Sequence, residues 1–168
     1  MAVVTVKSAQ ITNRDATPVV LNNGRVVRGE VKHARGVVAI GNGDSIASKY
    51  IACSIPSNAV PVSVRLTAPD IGTTTVADVG LYQTTANGGA VADVDFFGSA
   101  VSLSGGALAK SDITNENGAV ATPANGEKPV WELLGLSADS IRDYDVVLTL
   151  TGAADAAGSV LVEVDYVV

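Results

Sequence analysis

The chain has 168 residues, 47% of them hydrophobic and only 4% aromatic, and it carries a formal net charge of −6 at pH 7. This length suits a single domain with a substantial core, which must be built from Val, Leu, Ile and Ala rather than from large rings. No segment approaches the roughly 20 apolar residues of a membrane span, and residues 1–10 lack the features of a signal peptide, so we expect a protein made in the cytoplasm without membrane contact.

Turn signals recur along the whole chain. Five Asn-Gly steps begin at residues 23, 42, 87, 117 and 125, and apolar residues alternate with polar ones between several of them. Asn and Gly tolerate the positive φ angles of tight hairpin turns, so such steps flanked by alternation are typical of antiparallel strands. Because small aliphatic residues suit two closely packed sheets, the sequence predicts an all-β fold, an antiparallel β-sandwich.

The alternation also predicts where the strands lie. Residues 1–21 are predicted to form an N-terminal arm or a first strand near 3–11, and residues 22–168 a single β-sandwich domain. Further strands are predicted at 24–40 with a break at Gly36, and at 46–55, 60–67, 76–84, 144–151 and 160–168. In the 60–67 strand one face carries four apolar residues, which we expect to be buried: Val60, Val62, Val64 and Leu66.

Residues 98–126 are rich in Gly, Ala, Ser and Asn, which predicts one long loop excursion at the surface. The flanking segments 93–100 and 129–136 contain both Phe residues and the single Trp, and we expect at most one or two short helical turns there. Trp131 is expected to cap the core, with an interface anchor as the alternative.

Charge is distributed unevenly between the two halves of the chain. Residues 1–84 contain 8 Lys and Arg against 5 acids, whereas residues 85–168 contain 3 against 12. The basic residues concentrate at Arg25, Arg28, Lys32 and Arg35, which we predict to bind a partner protein. A solvated strand face, or pairing with the chain's own acidic half, is the alternative. Nucleic-acid binding is not expected, because the sequence pI is about 4.6 and aromatic residues are scarce.

Residues that could support catalysis or bind a metal are sparse. His33 is the only histidine and Cys53 the only cysteine, which are too few for a zinc site. We expect the histidine to be structural or solvent-facing and the thiol to be buried and inert. Carboxylates occur two residues apart at two places, Asp93 with Asp95 and Asp143 with Asp145. We interpret each pair as a solvated strand edge or a loop end rather than a glycosidase or calcium site. The sequence therefore predicts no enzyme, no catalytic residue, no cofactor and no metal.

Several short segments carry a family resemblance when they are taken in order. They are Ile55-Pro56-Ser57-Asn58-Ala59, residues 77–82 (Ala-Asp-Val-Gly-Leu-Tyr), residues 87–97 from Asn-Gly-Gly to the Phe pair, residues 131–136 (Trp-Glu-Leu-Leu-Gly-Leu), and residues 144–146 before the closing strands. Together, from about residue 24 to residue 168, they resemble a family of small virion structural proteins of tailed bacteriophages.

The resemblance implies a jelly-roll-like sandwich and a function in the virion. It implies a capsid decoration, or cement, protein that binds the exterior of the assembled head and stabilises it. The partners would be the major capsid protein and neighbouring copies of the chain, as a homo-trimer, although closed dimers are equally compatible with the sequence. The alternatives are a carbohydrate-binding or receptor-binding virion module and a minor head or tail component.

Overall fold

The computed structural model describes residues 4–118 and 120–168. These residues form eight strands, three short α-helices and one 3₁₀ turn at Thr85–Asn87. In chain order the elements are α1 (Ala9–Arg14), α2 (Gly24–Arg28), β1 (Val31–Ile40), β2 (Lys49–Pro56), β3 (Val60–Ala68), β4 (Val76–Gln83), β5 (Val91–Ser102), β6 (Leu108–Asp112), α3 (Val130–Leu133), β7 (Asp143–Gly152) and β8 (Gly158–Val167).

The strands pair into two antiparallel four-stranded sheets. Sheet A has the order β1-β8-β3-β6, and sheet B has the order β2-β7-β4-β5. Only β4 and β5 are both consecutive in the chain and paired in one sheet; every other connection between described strands passes from one sheet to the other. Two facing sheets with this connectivity form a jelly roll, so the predicted all-β, antiparallel, jelly-roll-like sandwich is confirmed.

The core lies between the sheets and is mainly aliphatic. In β8, Val160, Val162 and Val164 are all 0% exposed, and Tyr166 is partly buried against the core. Phe96 and Phe97 are also buried and contact each other edge to face, with ring centroids 4.8 Å apart. Residues 93–100 contain no helical turn, because both Phe residues belong to β5, whose register with β4 shifts at several points. Such bulges turn neighbouring residues toward one side.

The strand predicted at 24–40 is two elements, α2 and β1. Gly36 does not break β1, which pairs with β8 without a register shift from Val31 to Ile40. Gly36 instead allows β1 and β2 to approach each other, because a Cβ atom added there would lie 1.8 Å from the Ala52 carbonyl oxygen. Glycine in a strand often marks such a close backbone contact.

Two further predictions are corrected by irregular pairing. The excursion expected at 98–126 contains the end of β5 and the whole of β6, so the long connection is confined to the residues after Asp112. Val62 was expected in the core but is 51% exposed, because the β3–β8 register shifts between Pro61 and Ser63.

The N-terminal arm contains a helix where a strand was predicted near 3–11. The Ser8 hydroxyl oxygen caps α1 by accepting a hydrogen bond from the Ile11 backbone N–H at 3.4 Å. The helical turn expected within 129–136 is present as α3. No helix in the described ranges has the length and apolar character needed to span a bilayer.

Candidate interaction surface

The four cations predicted to bind a partner lie on two adjoining elements. Arg25 and Arg28 belong to α2, and Lys32 and Arg35 belong to β1. The Asn23 side-chain oxygen accepts a hydrogen bond from the Arg25 backbone N–H at 3.0 Å. This contact is a helix N-cap, so the first Asn-Gly step begins a helix rather than a hairpin.

Three of the four cations border one concavity at the end of the sandwich where β1 begins. This cavity of about 570 Å³ is lined by Asn23, Gly24, Arg25, Arg28, Gly29, Glu30, Lys32 and Val168. Arg35 lies apart from it on the outer face of sheet A, opposite Glu163 of β8. The fold therefore brings Arg25, Arg28 and Lys32 together and leaves Arg35 on a different surface.

These four cations have no ion-pair partner within 4.0 Å in residues 4–118 and 120–168. Arg25 acts only at longer range, where its charge helps to lower the pKa of Asp139, after the larger effects of the Ser57 hydroxyl and the Ile141 backbone N–H. The cations at α2 are therefore open to acidic groups on another molecule.

The N-terminal arm and the adjoining α2 also expose most of their apolar side chains. Neither α1 nor α2 contains a buried residue. The exposed large hydrophobic residues of this region are Val4, Val6, Val19, Val20, Leu21, Val26, Val27 and Val31. Clustered apolar side chains on a surface mark interaction sites more often than singly scattered ones do.

Two further cavities flank α2. One, of about 330 Å³, has Val26, Val27, Val60, Val62 and Val167 in its lining, with Arg25, Arg28, Gly29, Gly126 and Glu127. The other, of about 510 Å³, is lined mainly by Ile11, Val19, Val20, Leu21 and Val27, with Arg14 and Arg28 at its border. Arg28 borders all three cavities. We call the lining of these three cavities the arm-end surface. It is concave, largely aliphatic in the two cavities that flank α2, and polar in the first cavity, where Arg25, Arg28 and Lys32 lie.

A loop beside the arm-end surface was not found by sequence reasoning. The Ser57 hydroxyl donates to Asp139 Oδ1 at 2.5 Å, and the Ile141 N–H donates to the same oxygen at 2.9 Å. Ser57 is 2% exposed, whereas Ile141 is 88% exposed. The loop contains no sequence motif. Its distinguishing feature is the positive φ angle of Ile141, which the sequence does not reveal.

His33 belongs to a polar row on the outer face of sheet A. Its Nδ1 atom lies 2.6 Å from Asp165 Oδ1, and Asp165 Oδ2 accepts hydrogen bonds from Arg65 at 2.5 Å and Ser63 at 2.9 Å. The contact with His33 is the main cause that holds the pKa of Asp165 below its usual range. His33 thus joins β1 to β8, as a structural histidine does.

The two carboxylate pairs differ in their surroundings. Burial raises the pKa of Asp93, and a hydrogen bond with Asp95 raises it further. Asp143 is exposed, whereas Asp145 is buried and accepts a hydrogen bond from the Ser54 hydroxyl at 2.5 Å. Within the described ranges no three His, Cys, Asp or Glu side chains are grouped so that they could hold a metal ion.

Cys53 lies in β2, partly buried against the core. Burial raises the pKa of its thiol to about 11, with a smaller contribution from the charge of Asp145. A thiol with this pKa is almost entirely protonated at neutral pH, and the thiolate is the nucleophilic form. Partial burial and a raised pKa both make this thiol unreactive, although Cys53 is less buried than the sequence predicted.

Trp131 was expected to cap the core, but it is half-buried in α3 and lies outside the buried core cluster. Four of the seven aromatic side chains are buried: Tyr82, Phe96, Phe97 and Tyr144. The other three are of intermediate exposure, so no fully exposed aromatic platform for a sugar ring exists in the described residues.

No protein-family model matches the chain, and no curated protein matches it. Among solved structures the cyanophage Pam1 capsid asymmetric unit is similar, with 20% sequence identity and a TM-score of 0.48, over 89% of this chain and 92% of that chain. A similarity of this size carries no conclusion about what the chain binds.

Proposed function

We propose that this protein is a virion structural protein of a tailed bacteriophage, a decoration protein that binds the exterior of the assembled capsid and stabilises it. The observation that carries the proposal is the arm-end surface, where exposed apolar side chains adjoin Arg25, Arg28 and Lys32. The resemblance of the sequence segments to phage virion proteins supports the same function. The major capsid protein and neighbouring copies of the chain are the proposed partners.

The contrast between the jelly roll and the helices α1 and α2 supports a protein that binds the assembled capsid and stabilises it. The jelly roll has a closed aliphatic core, whereas neither α1 nor α2 contains a buried residue. A protein that binds only the assembled lattice stabilises that lattice by mass action, without any bond-making step. A durable contact of this kind buries roughly 1,200–2,000 Å² of total surface, which an arm laid along a neighbouring protein can supply.

The proposed contact combines apolar burial with charge. Val19, Val20 and Leu21 would supply the apolar area, because all three are at least half-exposed in the single chain. Arg28 would approach carboxylates of the capsid surface, since it borders every cavity of the arm-end surface and has no ion-pair partner in the described residues. Such border charges act mainly on the association rate and depend on salt.

The test uses heads of the encoding phage that were prepared without this protein. Purified full-length chain is added, and occupancy is measured by cosedimentation and by cryo-electron microscopy of the heads. Arg28→Glu is compared with Lys110→Glu, which reverses one charge in β6. We expect the wild type and Lys110→Glu to decorate the exterior, and Arg28→Glu to bind about tenfold more weakly at low salt.

Equal binding of Arg28→Glu and the wild type at low salt would exclude the arm-end surface as the contact. If the protein were absent from the surface of native heads and were found at the neck or tail instead, decoration would be excluded. The protein would then be a minor head or tail component.

A further inference from the structure

Ile141 combines two features that the folding of one chain does not explain. Its side chain is 88% exposed, and its backbone φ angle is +47°. A β-branched residue rarely adopts this left-handed conformation. An exposed isoleucine side chain also forgoes the favourable free energy that burial would provide. Rare backbone conformations concentrate at functional positions, where the surrounding structure holds them in place.

The loop around Ile141 is held on both sides by a buried turn. Asp139 Oδ1 accepts hydrogen bonds from the Ile141 N–H at 2.9 Å and from the Ser57 hydroxyl at 2.5 Å. On the other side the Arg142 N–H donates to Ser57 Oγ at 3.2 Å, and the Ser57 N–H donates to the Arg142 carbonyl at 2.8 Å. Ile141 is therefore presented in a fixed position, which lowers the entropy lost when it binds.

A matching recess lies at the same end of the sandwich. It is the 330 Å³ cavity beside α2, and its apolar lining is Val26, Val27, Val60, Val62 and Val167. This volume exceeds one branched aliphatic side chain, so the recess can accept an isoleucine from outside. Ile141 of the same chain does not line it.

The charges around the two features are complementary. Ile141 lies between two carboxylates, Asp139 and Asp143, with the cation Arg142 next to it. The recess has the opposite arrangement, because two cations and one carboxylate border it: Arg25, Arg28 and Glu127. If Ile141 of one copy entered the recess of another, carboxylates would meet cations around a buried aliphatic contact. This charge complementarity favours that orientation of the two copies over others.

The recess and Ile141 are close enough to belong to one face. Val60 begins β3 directly after the turn at Ser57 that holds the Ile141 loop. Arg25 at the recess border also influences the pKa of Asp139 beside Ile141. The Ile141 projection and the recess therefore lie on one face. In a two-fold dimer each copy would insert its Ile141 into the recess of the other, and in a three-fold ring each copy would insert it into the recess of the next.

We propose that Ile141 inserts into the recess beside α2 of a second copy of this chain. The contact places Asp139 and Asp143 of one copy against Arg25 and Arg28 of the other. This self-contact rests on the proposed function, in which neighbouring copies of the chain are partners. Its test needs no capsid, so failure of the self-contact and failure of capsid binding are distinguishable.

Sedimentation of the purified full-length chain over a wide concentration range measures the self-association. Ile141→Gly removes the side chain and suits the left-handed backbone, so the fold is retained and thermal unfolding of the monomer is not impaired. We expect this variant to associate about 10–100-fold more weakly, as the loss of one buried isoleucine implies. Ile46→Gly is the matched control, because Ile46 is 62% exposed but lies at the other end, between β1 and β2.

A charge exchange tests the pairing itself. Arg25→Glu and Asp143→Arg are each expected to weaken self-association, and an equimolar mixture of the two is expected to restore it, because Glu and Arg then meet across the contact; Arg25 borders the recess and is not the residue changed in the capsid test. A wild type that stays monomeric at every concentration would overturn the proposal. So would equal association of Ile141→Gly and the wild type, equal loss in Ile46→Gly, or a mixture that associates no better than either variant alone.

Discussion

The sandwich and the N-terminal arm use the same residue type in opposite ways. Val64, Val146 and Val160 are 0% exposed between the sheets, whereas Val4 and Val6 in the arm are 75% and 85% exposed. Composition alone does not separate these regions, because both are rich in aliphatic residues. What separates them is pairing, since a strand in a sheet has a facing sheet to cover its apolar side chains and the arm has none within the chain.

The hydrogen bonds differ in the same way. Sandwich contacts join distant parts of the sequence, such as the buried pair of Tyr82 Oη and Thr149 Oγ1 at 2.8 Å. Most contacts of the arm are local, such as the ion pairs of Asp15 with Lys7 at 2.9 Å and with Arg14 at 2.8 Å. Local contacts shape an arm without tying it firmly to a core, which suits a segment that binds a second molecule.

The largest expected effect comes from an apolar truncation made once in each region. Phe97→Ala removes a 0% exposed ring that contacts Phe96, and we expect it to lower the free energy of unfolding by about 3–5 kcal/mol. Leu21→Ala truncates a side chain that is 91% exposed, and we expect a change within about 0.5 kcal/mol. Urea denaturation measures both. A similar loss in the two variants would show that the arm belongs to the core after all.

A smaller effect is expected at Gly36, where β1 of sheet A lies close to β2 of sheet B. Gly36→Ala forces a Cβ atom against the Ala52 carbonyl oxygen, and the shift of β1 from β2 should cost about 1–3 kcal/mol of unfolding free energy. Gly24→Ala is the matched control, because a Cβ atom there would meet nothing within 4 Å. We expect the control to be neutral or slightly stabilising in α2, since Ala favours helix more than Gly does. Thermal and urea unfolding check both, and a neutral Gly36→Ala would contradict the close approach.

The class of fold could be predicted from the sequence because strand patterning is local. The strands at 60–67, 76–84, 144–151 and 160–168 are present nearly where the alternation placed them. Their pairing could not be predicted in the same way. In a jelly roll almost every turn leads into the opposite sheet, and of the five Asn-Gly steps only the one at Asn87 lies between two paired strands, β4 and β5.

The candidate site could be predicted only in part. Arg25, Arg28 and Lys32 were found because clustered charge is visible in sequence, and the fold places them around α2. The apolar lining of the recess was missed, because Val27, Val60 and Val167 come from separate parts of the sequence and are brought together only by the fold. Ile141 was missed because its importance lies in a backbone angle. The Ile141 loop is held by Asp139, two residues earlier, and through it by Ser57, which is distant in sequence.

The smallest effect concerns a carboxylate that joins two exposed loops of the sandwich. Asp155, between β7 and β8, accepts hydrogen bonds from the Thr73 hydroxyl at 2.5 Å, the Thr73 N–H at 2.9 Å and the Thr74 N–H at 3.3 Å. The Thr73 hydroxyl is the largest cause that lowers the pKa of Asp155 to about 2. Because the pKa in the folded chain is lower than in the unfolded chain, the ionised carboxylate stabilises the fold, and this contribution is fully present above about pH 4.

The contribution should be lost as the pH falls from about 4 through about 2, when the folded carboxylate takes up its proton. We therefore expect Asp155→Asn to be less stable than the wild type at neutral pH, with the difference shrinking over this window. Urea denaturation at a series of pH values measures it, and the difference between the two proteins cancels the titration of the other carboxylates. Asp70→Asn is the control in the same β3–β4 connection, where Asp70 is exposed and has no hydrogen bond or ion pair in the described residues. A pH-independent difference for Asp155→Asn would mean that the charge of Asp155 does not hold the two loops together, and would contradict the prediction.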